Sequence, residues 1–142
     1  MPSFRIRRAI YKAIKRGVKV TLILPYTSDL IIMDIIRNRY IARLYRKGVM
    51  IYFYMPRVLH TKLMIIDDYF FILGSSNLDY RSFIYQCEIN LFGKNKKIIK
   101  RLTEYFNETL KQSKPFSYTG WKKRRSIIKI IEKVLYLFRR YL

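Results

Sequence analysis

One histidine, one cysteine, five glycines and nine acidic side chains among 142 residues rule out several kinds of chemistry at the start. Cys87 has no second cysteine to pair with, so no internal disulfide is expected, and a reducing compartment is the natural setting. One Cys and one His also fall short of the ligand set of a zinc site. No uninterrupted apolar run approaches the roughly 20 residues that cross a bilayer. The opening stretch MPSFRIRRAIYKAIKRG lacks the apolar core of a secretory signal, so none is expected. The shortage of acid is set against thirty Lys and Arg, a formal charge of +21. Such an excess repels itself unless an anion is near, which points to nucleic acid or acidic lipid headgroups as partners. The chain is 51% hydrophobic and 16% aromatic, enough for one packed domain.

Apolar residues at 6, 9, 10, 13 and 14 repeat with helical spacing, and Gly17 follows as a stop. VKVTLILP is a β-rich run closed by Pro25. SDLIIMDIIRNRYIARLYRKG then offers an N-cap at Ser28 or Asp29 and a terminating Gly48. Four further runs, VMIYFYM, TKLMIID, YFFILGSS and CEINLF, are rich in β-branched and aromatic residues and read as consecutive strands. KNKKIIKRLTEYFNETLKQ is an amphipathic helix and SKPFSYTG a linker. WKKRRSIIKIIEKVLYLFRRYL reads as a basic amphipathic C-terminal helix with apolar positions 127, 131, 134, 138 and 141 on one face. The economical architecture is α/β, a mixed β-sheet flanked by helices. The expected division is a domain over 1–112 followed by the linker and basic helix over 113–142.

The single histidine stands in LHTKLMIIDDYFFILGSSNLDYRSF. On a strand, residues i and i+2 project to the same side, which would bring the His60 imidazole beside the Lys62 ammonium. Gly74, Ser75 and Asn77 follow the next strand; a small residue there admits a ligand close to the backbone, and Ser and Asn add neutral donors. Lysine, serine and asparagine together suit an oxyanion such as phosphate, with no metal or other cofactor required. A histidine beside a bound phosphoryl group can serve as nucleophile or general acid when an acceptor orients its other nitrogen, and Glu88 is the candidate acceptor. Six fixed positions, His60, Lys62, Asp67, Gly74, Ser75 and Asn77, would coincide by chance in roughly one chain in a million of this length.

His60-x-Lys62 with Asp67, followed by Gly74-Ser75-x-Asn77, resembles the HKD signature of the phospholipase D superfamily. The flanks LHTKLMIIDD, GSSNLDYRSF, CEINLF and RGVKVTLILPYTSD are similar to the second catalytic half of bacterial cardiolipin synthases. The resemblance implies that His60 attacks phosphorus to form a phosphohistidine, or protonates the leaving alcohol, while Lys62, Ser75 and Asn77 cradle the phosphoryl oxygens. It places Glu88 where the family's carboxylate holds the histidine. Asp67 reads as structural, and Asp79 and Arg81 as turn and packing residues that support the pocket.

In-line displacement at phosphorus takes a nucleophile on one side and an acid on the other. The superfamily meets this with two HKD motifs in one chain or with a symmetric pair of single-motif chains. A homodimer mate or a second HKD-containing half is therefore the expected partner. The resemblance also implies that a core strand preceding Ser3 is lacking. Two activities stay open. One is phosphatidyl transfer between phosphatidylglycerol molecules by a peripheral protein on the cytoplasmic face of a bacterial membrane. The other is a metal-independent phosphodiesterase or nuclease acting as a homodimer; an inactive fragment is the third alternative.

Overall fold

The computed structural model describes residues 4–27, 31–77 and 85–137. Helix α1 (Phe4–Lys15) leads to strand β1 (Thr21–Pro25), and α2 (Ile31–Arg46) leads to β2 (Met50–Tyr54). Both helices stop the same way. Gly17 and Gly48 take φ of 86° and 97°, and the following valines donate back into the last turn, Val18 to Ala13 O at 3.2 Å and Val49 to Leu44 O at 3.2 Å. These are Schellman turns, in which a left-handed glycine lets the chain satisfy otherwise orphaned helix carbonyls. Because α2 is the crossover, β1 and β2 pair in parallel, Thr21 opposite Met50 and Pro25 opposite Tyr54.

The α/β expectation is met, with the sheet divided in two. The first sheet has order β1-β2-β6 and is mixed; β6 (Ser113–Pro115) runs antiparallel to β2. The stretch read as a linker thus contributes an edge strand, held further by Phe116 N to Ile51 O at 2.8 Å. Pro115 is tolerated because an edge strand does not need every N–H. The second sheet is antiparallel, order β3-β4-β5, from β3 (Lys62–Ile66), β4 (Phe70–Gly74) and β5 (Asn90–Gly93). CEINLF therefore enters its strand only at Asn90.

The main core lies where α2 meets the first sheet. Ile41, Leu44, Val49 and Ile51 are fully buried, and Ile10, Ile14, Leu22 and Phe53 pack around them. Arg37 locks the end of β1 to α2: its guanidinium donates to Pro25 O at 2.9 Å and Tyr26 O at 3.0 Å, and pairs with Asp34 at 3.0 Å. Burial lowers the Arg37 pKa, and Asp34 works against that shift.

Helix α3 (Lys96–Lys111) starts where Asn95 Oδ1 accepts from Lys97 N and Ile98 N, and it touches β2 and β6 of one sheet and β3 of the other. The expected single C-terminal helix is broken at Lys123–Arg125 into α4 (Tyr118–Lys122) and α5 (Ser126–Leu137). The aromatic residues before the break explain it. Tyr118 stacks between Tyr45 and Trp121, and the Arg124 guanidinium sits 3.9 Å from the Trp121 ring, so α4 is fixed to α2 by its own packing. Along α5, Ile127, Ile131 and Val134 remain exposed, while positions 138 and 141 lie outside the described residues, as do Ser28 and Asp29.

Candidate functional site

The second sheet builds the site from its turn inward. Asp67 and Asp68 have φ of 48° and 50°, and Tyr69 N donates to Ile66 O at 3.0 Å, the pattern of a type I′ turn, with Tyr69 as the extra residue before the first cross-strand pair, Ile66 opposite Phe70. Asp and Asn tolerate this left-handed backbone better than other non-glycine residues. The turn fixes the register so that Lys62 faces Gly74, and Gly74 in turn faces Asn90 on β5. Asp67 stands at the far end of β3, about 17 Å from Lys62 at strand rise, too distant for both to hold one phosphate.

At Gly74 the neighbouring strand comes close. A Cβ placed on it would fall onto Ile89 O and Asn90 Oδ1 and within 2.7 Å of Asn90 Cα. The next residue, Ser75, continues the pairing beyond the strand. Its N–H donates to Ile89 O at 3.0 Å, its hydroxyl donates to Glu88 Oε2 at 2.5 Å, and the same oxygen accepts from Ile89 N at 3.0 Å. Asn90 Nδ2 donates to Ser76 Oγ at 2.6 Å, which ties Ser76 to β5.

Lys62, Ser75 and Glu88 are therefore gathered at one end of the sheet. Partial burial lowers the Lys62 pKa, and the Glu88 carboxylate acts in the opposite direction. The Lys62 ammonium donates one hydrogen bond, to His60 O at 2.8 Å, leaving donor capacity for an anion.

His60 differs from the sequence expectation. β3 begins at Lys62, so His60 lies in the approach to the strand and the alternation argument does not reach it; the lysine instead curls back onto the histidine carbonyl. The His60 side chain is exposed, and Glu88, expected to hold its ring, is engaged by Ser75 because the Ser75–Ile89 backbone pairing brings the two side chains together. Glu88 also precedes β5 rather than lying on it. Asn77 is exposed, two residues beyond Ser75. Asp79 and Arg81 lie outside the described residues. Among the described residues no three His, Cys, Asp or Glu side chains converge on a metal position.

His60 opens onto a cleft of about 490 Å³ between the loop leading into β3 and α3, with Tyr54, Arg57, Thr61, Tyr105 and Gln112 among its walls. Thr61 Oγ1 and Tyr105 OH share a hydrogen bond of 2.8 Å, which ties the histidine segment to α3. Sequence reasoning did not find Tyr105, since nothing in a helix 44 residues away marks it as a neighbour of Thr61. The arrangement can grip an oxyanion with a lysine and a serine at the end of a sheet and present an imidazole at the mouth of a polar cleft.

A family model described as cardiolipin synthase, PLD-like domain, matches residues 1–110. Cardiolipin synthase A of Wigglesworthia glossinidia brevipalpis is 34% identical over 138 residues, covering 97% of this chain and 28% of that protein. The probable cardiolipin synthase YwiE of Bacillus subtilis (strain 168) is 32% identical over 124 residues, covering 87% of this chain and 25% of that protein. The chain thus spans between a quarter and a third of the length of these relatives. Among solved structures, Nuc, a phospholipase D family member from Salmonella typhimurium, superposes with a TM-score of 0.69 at 20% identity, covering 82% of this chain and 76% of that one. That likeness speaks for the fold.

Proposed function

The chain belongs to the cardiolipin synthase family of phospholipase D-like domains, and on that premise we propose that it is half of a phosphatidyltransferase site. His60 attacks the phosphorus of one phosphatidylglycerol; the phosphorus–oxygen bond to the headgroup breaks, glycerol leaves with a proton, and a phosphohistidine remains. The hydroxyl of a second phosphatidylglycerol then attacks that phosphorus, giving cardiolipin and free His60. Lys62, Ser75 and Asn77 take the phosphoryl oxygens. Glu88 orders Ser75 and, with substrate bound, the imidazole. Asp67, Gly74, Asp79 and Arg81 shape the pocket. A second HKD histidine, from a homodimer mate or another half, protonates the leaving glycerol and then takes the proton of the attacking hydroxyl.

The observation that carries this reading is the single histidine placed two residues before a lysine that shares one sheet end with Ser75 and Glu88. No helix among the described residues is long and apolar enough to cross a membrane. Peripheral attachment at the cytoplasmic face fits the exposed Ile127, Ile131 and Val134 of α5 and the surplus of cations.

The charge of +21 equally favours a second reading, a metal-independent phosphodiesterase of nucleic acid working as a homodimer. Purified protein and His60→Ala are incubated with phosphatidylglycerol vesicles and, separately, with DNA, both in the presence of chelator. Cardiolipin made by the unmodified chain and lost in the variant supports the transferase. DNA cleavage without lipid turnover reverses the order, and size-exclusion chromatography reads whether copies pair.

A further inference from the structure

Arg57 and His60 lie on the connection from β2 to β3 and both line the polar cleft that faces α3. The connection is fixed at its two ends. Tyr54, the last residue of β2, is buried and its hydroxyl donates to Gln112 Oε1 at 3.3 Å, while the Lys62 ammonium holds His60 O at 2.8 Å. At most about 10 Å of extended chain separates the Cα atoms of Arg57 and His60. Among the described residues of the lining, Arg57 is the one permanent cation, and its guanidinium enters no hydrogen bond, ion pair or ring contact. Glu108, the one carboxylate of that lining, is engaged instead by Lys111 at 2.8 Å. The walls add hydroxyls and an amide from Thr61, Tyr105 and Gln112, groups that suit a polyol better than an acyl chain.

Transfer between two phosphatidylglycerol molecules brings two phosphates to one site. The first is bonded to His60 and gripped by Lys62 and Ser75. The second belongs to the acceptor and stands one glycerol away from the hydroxyl that attacks. Like charges so placed repel unless a cation lies beside the newcomer, and Lys62 is committed to the first. Water carries no charge and meets no such barrier. A site that transfers rather than hydrolyses must therefore hold its acceptor. A planar guanidinium fork matches the oxygens of a phosphate.

We propose that Arg57 takes the phosphate of the acceptor phosphatidylglycerol, with its glycerol in the cleft, and so favours transfer over hydrolysis. The inference rests on the transferase reading of His60. The acceptor's terminal hydroxyl attacks phosphorus, the phosphorus–nitrogen bond to His60 breaks as the phosphorus–oxygen bond forms, and the hydroxyl proton passes to the second HKD histidine.

The full chain, Arg57→Gln and the control Arg101→Gln on α3 are compared; both arginines are exposed, and circular dichroism verifies the fold of each variant. In the first arm each protein meets phosphatidylglycerol vesicles in buffer containing ethanol, an acceptor with no phosphate of its own. Arg57→Gln should lower cardiolipin about tenfold and phosphatidylethanol under about twofold, while Arg101→Gln changes either under about twofold. Equal loss of both products in Arg57→Gln overturns the inference and leaves the transferase standing. The second arm needs no turnover: glycerol phosphate, with free glycerol as control, is titrated while the Tyr105 and Gln112 amides are followed by NMR. Shifts there with glycerol phosphate alone, weakened about tenfold in Arg57→Gln only, support the phosphate subsite even where no lipid product forms and the transferase reading fails. Silent amides, or equal affinity in all three proteins, overturn it. DNA cleavage that depends on Arg57, with glycerol phosphate leaving the cleft untouched, also overturns it and gives the arginine to a nucleic-acid phosphate.

Discussion

Thr61 and Tyr105 share a hydrogen bond of 2.8 Å between side-chain oxygens, and that bond joins the residue after His60 to the middle of α3. Replacing Tyr105 with Phe keeps the ring and removes the bond. A hydrogen bond of this kind contributes about 1 kcal/mol, so amide exchange at Leu59–Thr61 should quicken about fivefold. Hydrogen-exchange mass spectrometry reads this directly. Exchange unchanged across 59–61 would mean that the loop is held by other contacts.

Gly74→Ala puts a methyl group where Ile89 O and the Asn90 side chain already stand. The obstacle includes backbone and cannot swing aside, so β4 and β5 must separate. The expected cost is about 2 kcal/mol, in the range of overpacked interiors, seen as a lower urea midpoint with unchanged slope. A variant as stable as the parent would show that the β4–β5 contact is looser than described.

Glu88→Gln bears on Lys62. Burial lowers the lysine pKa and the carboxylate opposes it, so removing the negative charge lets the pKa fall further. The ammonium then deprotonates at lower pH, and any grip on phosphate that depends on its charge is lost earlier as pH rises. NMR titration of the Lys62 side chain measures the shift; a midpoint that stays or rises contradicts the proximity of the two groups.

Asp68→Gly relieves the left-handed backbone at the second position of the β3–β4 turn, where φ is 50°. Aspartate-glycine is the favoured sequence for this turn, and a gain of a few tenths to about 1 kcal/mol is expected, while Asp68→Val should cost more than that. Thermal melts of both variants give the comparison. A valine variant as stable as the glycine one would remove the type I′ assignment.

Much of the fold was legible because its punctuation is chemical. Gly17-Val18 and Gly48-Val49 mark two helix ends with the same motif, and both are realised as Schellman turns. The strand runs were legible from β-branched and aromatic residues, since these fit a pleated and half-buried surface. What failed was set by distant partners. Ser113–Pro115 looks like a linker locally and becomes a strand because β2 has an open edge. The helix read from Trp121 onward breaks because Tyr118 and Trp121 stack against Tyr45 and each other, which no helical period records.

The candidate site divides the same way. The residue types and spacing of His60, Lys62, Gly74 and Ser75 stood out in the chain, and Lys62 and Gly74 prove to be direct cross-strand partners. β3 begins at Lys62, one residue inside the run TKLMIID, which leaves His60 off the strand. Glu88 is engaged by Ser75 in this structure because the Ser75–Ile89 backbone pairing brings the two side chains together, a contact that no sequence spacing marks.

Side chains on paired strands alternate strictly, so a hairpin has a parity, and the Asp67–Tyr69 loop sets it. A slip of the register by one residue there would bring Leu63 or Thr61, not Lys62, opposite Gly74. Asp67, at the far end of β3, thereby bears on which side chain stands opposite Gly74.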